Sequence, residues 1–356
     1  MIERCNKLIK AAAEKGIDAV LVMSQINWRY FSGFTGSNAI LLITPERRVL
    51  LTDFRYTIQA NRQTKGAFEV LEVSRAIGTS FIKDELKRIG ARKVGFEDAS
   101  ITVRQFRELE QLDVELCPMS DDMSNIRRIK SAYEIEQIIA AQRASDAAFG
   151  QLLPRIKAGM KETDVAIELE YLLKRNGAED LAFDTIVGSG ENGALCHAMP
   201  GERKLRNGDL VVLDFGSKVN GYCSDMTRTI AIGEPCGELK QIYDIVLTAQ
   251  LKALEALRPG ISGGELDAIA RDYITECGYG ANFGHSLGHG FGLEVHEAPG
   301  AAKGVETVFE PGMTITVEPG IYLEGLGGVR IEDCCILTED GYINPVTSKK
   351  ELIIIE

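Results

Sequence analysis

The sequence predicts an α+β protein in two parts, a smaller α/β domain over residues 1–124 and a larger domain over 125–356. Three observations carry that prediction. A length of 356 residues suits about two domains, at roughly 150 residues each. Apolar runs alternate with helix-period segments in the first third. In the remainder, long helical patterns are interrupted by strand-like segments built around one strong hairpin signal.

In the first part, strand-like runs fall at 19–23, 39–43, 49–52 and 68–73, and helical patterns at 3–15, 79–89 and 103–112. Residues 45–48, beginning with Pro45, would turn a hairpin between two of the strands. No glycine-rich phosphate loop follows any strand, so a nucleotide-binding fold has little support. Cys117, Pro118 and the acidic pair Asp121 and Asp122 read as a linker. Beyond it, Ser131 with Glu134 three residues on forms a capping box that opens a long helix. Helices are expected at about 132–150, 163–176, 238–257 and 263–277, with strands near 183–188, 210–232, 313–318 and 329–338.

Composition narrows the function classes. With 40 basic and 52 acidic residues the net charge is −12, which opposes binding to a phosphate backbone. The first third is near neutral, so the acidic excess sits in the larger domain, where it suits a site that concentrates cations. The longest apolar runs, 39–43 and 352–355, are far shorter than the ~20 residues of a membrane span. Neither nucleic acid nor membrane is an expected partner. Eight scattered cysteines without C-x-x-C spacing, and an N-terminus unlike a signal peptide, point to reduced thiols and a cytoplasmic location.

The chemistry concentrates in the larger domain. Asn220-Gly221 between two strand-like runs signals a two-residue hairpin turn. Setting Val219 opposite Tyr222 puts Asp214 opposite Thr227 and Asp225 opposite Gly216, so the two aspartates lie diagonally on one face, roughly 7–8 Å apart. Gly216 would leave room for a shared ion. Taken alone, the hairpin reads first as an exposed one with two solvated aspartates. Further along, strand alternation sets Thr316 and Glu318 opposite Ile315 and Val317, and sets Arg330 and Glu332 opposite Val329 and Ile331. All four histidines, His197, His285, His289 and His296, fall within the same hundred-residue span. The stretch 284–292 is too glycine-rich for a helix and reads as a loop that carries imidazole close to a ligand.

Four carboxylates with at least one imidazole suit two divalent cations of intermediate hardness better than a structural zinc, which prefers thiolate. Ion-bound water in such a site is acidified toward neutral pH, so the implied reaction is hydrolysis.

These motifs, in order, resemble the pita-bread metallopeptidases, and within them the Xaa-Pro peptidases, prolidase and aminopeptidase P. The resemblance spans 125–356, and residues 1–120 are similar to the smaller domain that precedes it in that family. It implies an α+β pita-bread catalytic domain and two divalent ions, Mn2+ first, with Co2+, Zn2+ or Fe2+ as substitutes. Their ligands would be Asp214, Asp225, His289, Glu318 and Glu332, with Asp225 and Glu332 bridging. It further implies Glu318 as proton shuttle and Arg330 as a group orienting Glu332 or contacting substrate. His197 and His296 would lie beside the substrate as catalytic or binding groups, and His285 would line a proline pocket. Tyr322, Asp184, Trp28 and Tyr30 stand as candidates for the pocket wall or for structural roles. The implied partners are small peptides with proline second, and a second copy of the chain in a homodimer. The alternatives are a methionine aminopeptidase, a creatinase-like hydrolase, or a non-catalytic binding protein on the same fold.

Overall fold

The computed structural model describes residues 1–73 and 77–356. Two compact units divide the chain, Met1–Arg127 and Arg128–Glu356.

The first unit is built on a six-stranded sheet. Its strands are β1 (Ala19–Val22), β2 (Ile40–Ile43), β3 (Arg48–Thr52), β4 (Glu69–Glu72), β5 (Lys93–Phe96) and β6 (Glu115–Pro118), in the order β4-β3-β2-β1-β5-β6. Helices α1 (Ile2–Glu14), α2 (Gln25–Ser32), α3 (Thr57–Thr64), α4 (Ile77–Arg88) and α5 (Val103–Leu109) belong to the same unit, and α6 (Ser120–Arg128) runs to its boundary. The hairpin expected at 45–48 is present, with Ile43 opposite Arg48. The stretch read as a linker is not one. Cys117 pairs with Gly95 in the parallel β5–β6 ladder, and Asp121 and Asp122 occupy the first turn of α6, where carboxylates meet the positive end of the helix dipole. Trp28 and Tyr30 are buried in this unit, and the Trp28 indole donates to the Gly36 carbonyl at 3.1 Å.

The second unit holds four long helices, α7 (Ala132–Leu152), α8 (Glu162–Arg175), α9 (Gly237–Ala256) and α10 (Gly263–Glu276). The capping box that opens α7 forms as expected between Ser131 and Glu134. The strands are β7 (Asp180–Leu181), β8 (Ile186–Ser189), β9 (Leu210–Phe215), β10 (Ser217–Val219), β11 (Tyr222–Cys223), β12 (Met226–Ile232), β13 (Gly288–Gly290), β14 (Glu297–Ala301), β15 (Thr314–Val317), β16 (Gly320–Leu323), β17 (Gly327–Arg330), β18 (Asp333–Thr338), β19 (Gly341–Ile343) and β20 (Ile353–Ile355). They form a β20-β12-β9-β8 sheet, β11-β10-β7 and β15-β18-β19 sheets, and two short pairs, β13–β14 and β16–β17.

Alternation along these strands separates two cores. Val211, Leu213 and Phe215 pack with Phe149, Leu152, Leu169 and Leu172 of α7 and α8. Ile315, Val317, Val329 and Ile331 pack with Ile242, Val246, Leu266 and Ala270 of α9 and α10. Between the two apolar layers the strands turn their polar residues toward one another. That leaves a lined interior instead of a third core.

Candidate active site and metal centre

The hairpin register is the one the turn dictates. Asn220 and Gly221 both have positive φ, 48° and 85°, as a two-residue turn of the primed type requires. Val219 pairs with Tyr222, and on the far side of a break in the ladder Asp214 pairs with Thr227. Gly216 makes no room for an ion, because a Cβ there would lie 2.1 Å from the Ser224 carbonyl oxygen. The glycine serves close backbone approach, and Ser224 N donates to the Ser217 carbonyl at 2.9 Å.

The stretch 284–292 is not wholly a loop. Its centre is β13, with His289 opposite Gly300 and a bulge between His289 and Gly290. Gly288 is obligatory for contact with β15, since a Cβ would fall 2.0 Å from the Thr316 carbonyl oxygen. The Thr316 hydroxyl then accepts from His289 N at 3.0 Å and donates to Glu318 Oε1 at 3.1 Å. One side chain thus sets the spacing of an imidazole and a carboxylate.

Asp214, Asp225, His289, Glu318 and Glu332 converge on one cavity of about 880 Å³, which His197, His285, His296, Arg330 and Asp184 also line. Asp225, His289 and Glu332 each offer a ligand atom within 4.8 Å of the others. His289 Nε2 lies 3.3 Å from Glu318 Oε1 and 3.6 Å from Asp225 Oδ2. Its Nδ1 lies 3.1 Å from the Gly290 carbonyl, which can only accept, so Nδ1 carries a proton there and Nε2 faces the carboxylates.

Arg330 organises the opposite wall. Its Nη2 donates to Asp214 Oδ2 at 2.6 Å, its Nε to the Thr227 hydroxyl at 3.1 Å, and its Nη1 to Tyr322 at 2.8 Å and the Cys196 carbonyl at 3.1 Å. The Thr227 hydroxyl in turn donates to Glu332 Oε2 at 2.7 Å. The half-buried His285 contacts the Ser286 carbonyl through Nδ1 at 2.8 Å and the Tyr322 hydroxyl through Nε2 at 2.9 Å. The wall is therefore a directed chain running from Arg330 through Tyr322 to His285.

The electrostatics test whether cations fit. Burial, then the charges of Glu332, Asp214 and Glu318, holds the Asp225 carboxyl well above its ordinary range. Burial, then Glu318 and Asp214, does the same to Glu332. Burial raises Asp214 as well, against the opposing pull of Arg330. Burial lowers the His289 pKa, but the hydrogen bond and charge of Glu318 outweigh it and leave the group raised. With one oxygen of Asp214 held by Arg330, the other, Oδ1, is buried without a hydrogen-bond partner. Mutually repelling acids around an unpartnered acceptor fit a positively charged ion. Oxygen donors with one imidazole match divalent cations.

The sequence reading missed Thr227 and Thr316, although the hairpin register already placed Thr227 opposite Asp214. It left Tyr322 as one of several candidates, because nothing in the chain's local pattern links residue 322 to residues 285 and 330.

A pita-bread fold with a carboxylate–imidazole cage in its interior defines a metal-dependent peptidase. Comparison with known proteins narrows that class. Residues 136–339 match the model of metallopeptidase family M24, residues 4–129 match the Creatinase/Prolidase N-terminal domain, and the chain belongs to family M24. Membership implies divalent metal ions. A Bacillus subtilis protein described as the uncharacterized peptidase YqhT is 43% identical over 99% of this chain and 100% of its own length. Among solved structures, an Xaa-Pro dipeptidase from Bacillus anthracis is 45% identical with a TM-score of 0.96, covering 99% of both chains. An X-Pro aminopeptidase from Thermotoga maritima is 40% identical with a TM-score of 0.91, again over 99% of both.

Proposed function

We propose that this peptidase hydrolyses the bond between an N-terminal residue and proline, and that two divalent ions, Mn2+ first among them, occupy the cage of Asp214, Asp225, His289, Glu318 and Glu332. The observation that carries the reading is the convergence of those five side chains on one cavity, with Asp214 Oδ1 lacking a partner. The similarity to proteins described as Xaa-Pro dipeptidase and X-Pro aminopeptidase supports the choice of substrate. The ions supply Lewis acidity and an acidified water.

The chain's own residues do the rest. Arg330 and Thr227 hold Asp214 and Glu332 at fixed angles, as outer partners of metal ligands do. Glu318, whose Oε1 faces His289 and Thr316, takes a proton from the attacking water and delivers it to the leaving proline nitrogen. His197 and His296, on the cavity wall, donate toward the oxygen of the scissile carbonyl as negative charge develops there. His285, its pKa lowered by burial and its ring held by the Tyr322 hydroxyl, lines the cavity and gives a proline ring an imidazole face to pack against.

An Xaa-Pro bond is a tertiary amide without an N–H, so extended-strand docking fails and a closed pocket is the physical alternative. We further propose a cytoplasmic homodimer, on the grounds of its free cysteines and family resemblance. No helix among the described residues is long and apolar enough to cross a membrane.

The test is hydrolysis of an Xaa-Pro dipeptide and of the Xaa-Pro-Yaa peptide extended from it, by metal-stripped protein with and without added Mn2+ or Co2+. Metal-dependent release from either substrate supports the reading, and release from neither refutes it. The ratio of the two rates separates dipeptidase from aminopeptidase.

A further inference from the structure

In the segment from Ser189 to Gly201, residues 196–200 line the cavity and include His197. A single buried side chain ties the two limbs of the segment together. Glu162, the first residue of α8, is fully buried and accepts five hydrogen bonds. Its Oε1 receives Ser189 N at 2.8 Å, Ser189 Oγ at 2.6 Å and Asn192 Nδ2 at 3.1 Å. Its Oε2 receives Asn192 Nδ2 at 3.1 Å and Gly201 N at 3.1 Å. The donors come from the incoming limb, the turn and the outgoing limb of the same loop.

Other contacts reinforce the junction from outside: Arg203, just past the outgoing limb, donates to Ser189 Oγ at 2.8 Å and to Glu191 Oε2 at 2.6 Å. The outgoing limb is bound to the start of α8 by Glu162 N to the Arg203 carbonyl at 3.0 Å and Thr163 N to the Gly201 carbonyl at 3.2 Å. Ser189 is anchored in the sheet opposite Val211. The turn lies directly on β17, where a Cβ on Gly328 would sit 2.1 Å from the Gly193 carbonyl oxygen. Arg330, two residues along, donates to Cys196 next to His197. A carboxylate buried among neutral donors is costly unless every bond is kept, so its place at this junction calls for a reason beyond closing a loop.

We propose that Glu162 is a positioning residue for His197. It braces both limbs of the loop so that the imidazole stays on the cavity wall within reach of the substrate carbonyl. The inference rests on the role given to His197 above. In Glu162→Gln an amide donor replaces one acceptor oxygen and opposes either the Ser189 or the Gly201 N–H, so the brace opens on one side while the sheet and α8 persist.

Measurements on the full-length protein test it, with NMR and amide exchange read on the diamagnetic Zn2+-loaded form and kinetics on the Mn2+-loaded form. With four histidines in the chain, imidazole NMR signals are individually assignable. In Glu162→Gln the His197 signals should shift or broaden while those of His289 hold, and amides of 190–201 should exchange faster. On Xaa-Pro, kcat/KM should fall about tenfold, the scale of a slightly misplaced catalytic group. That loss should vanish when Glu162→Gln is added to His197→Ala. Mn2+ affinity should stay within twofold of wild type. Unchanged His197 signals, a fully additive double variant, or lost Mn2+ affinity would each overturn the proposal. If Glu162→Gln does not fold, Asn192→Ala, which removes two of the five bonds, takes its place. Should wild type prove inactive on Xaa-Pro, the proposed function falls, while the NMR and exchange measurements still decide whether Glu162 holds His197.

Discussion

Asp225 is 4% exposed and sits among acids that drive its pKa upward, so without a cation its ionised form is a burden on the fold. The sign follows from linkage. A carboxyl whose folded pKa is raised contributes stability below its unfolded value of about 3.8 and loses it as pH rises through the folded value. Metal-free protein should therefore weaken between acidic and mildly alkaline pH. Metal-free Asp225→Asn should melt higher than metal-free wild type at pH 8 and show no such advantage near pH 4. Added Mn2+ should reverse the order at pH 8, because only wild type gains the ion. Thermal melts of both proteins with and without chelator check this, and equal melting temperatures at pH 8 would contradict it. In the same variant, metal-dependent peptidase activity should fall by at least about a hundredfold, since a ligand to the ions is lost.

At the scale of the element, two glycines show how turns and close approaches position chemistry. Gly221, at φ 85°, closes the hairpin that carries both aspartates, and Gly221→Ala should cost about 1–2 kcal/mol in chemical denaturation. Activity of the folded fraction should survive, because the register is also held by the β9–β12 ladder. Gly288→Ala should act differently. Its methyl collides with the Thr316 carbonyl, and β13 must shift, moving His289 away from Glu318. Mn2+ affinity measured by calorimetry should drop at least tenfold, with a smaller effect on the melting temperature. Helices α7 to α10 and the hairpin were legible from capping signals and periodicity. The strand at 288–290 was not, because its glycines are selected by contact with β15, a partner distant in sequence. The same blindness turned β6 and the first turn of α6 into a supposed linker. A proline beside polar residues looks like a break until the neighbouring strand supplies its ladder.

Across the whole molecule, the cage lies entirely within residues 128–356, and the N-terminal unit has its own core of Leu21, Leu42, Leu51, Leu86 and Phe96. Calorimetry should accordingly show a metal-sensitive transition belonging to the larger unit. Chelator should lower it and saturating Mn2+ raise it, while isolated residues 1–127, if they fold, should melt at a temperature indifferent to either. A shift of equal size in the isolated N-terminal unit would count against a cage confined to the larger one.

The sequence by itself determined the α+β class, the hairpin register and the polar faces that carry the four carboxylates, because strand alternation and a two-residue turn are local rules that need no partner; His289 as the fifth donor was implied only by the family resemblance. Only the tertiary structure decided that Thr227 and Thr316 space the ligands, that Tyr322 links Arg330 to His285, and that Glu162 braces the His197 loop. Those relations join residues tens to more than a hundred positions apart, and no periodicity along the chain encodes which side chains meet when its two apolar layers close over a polar interior.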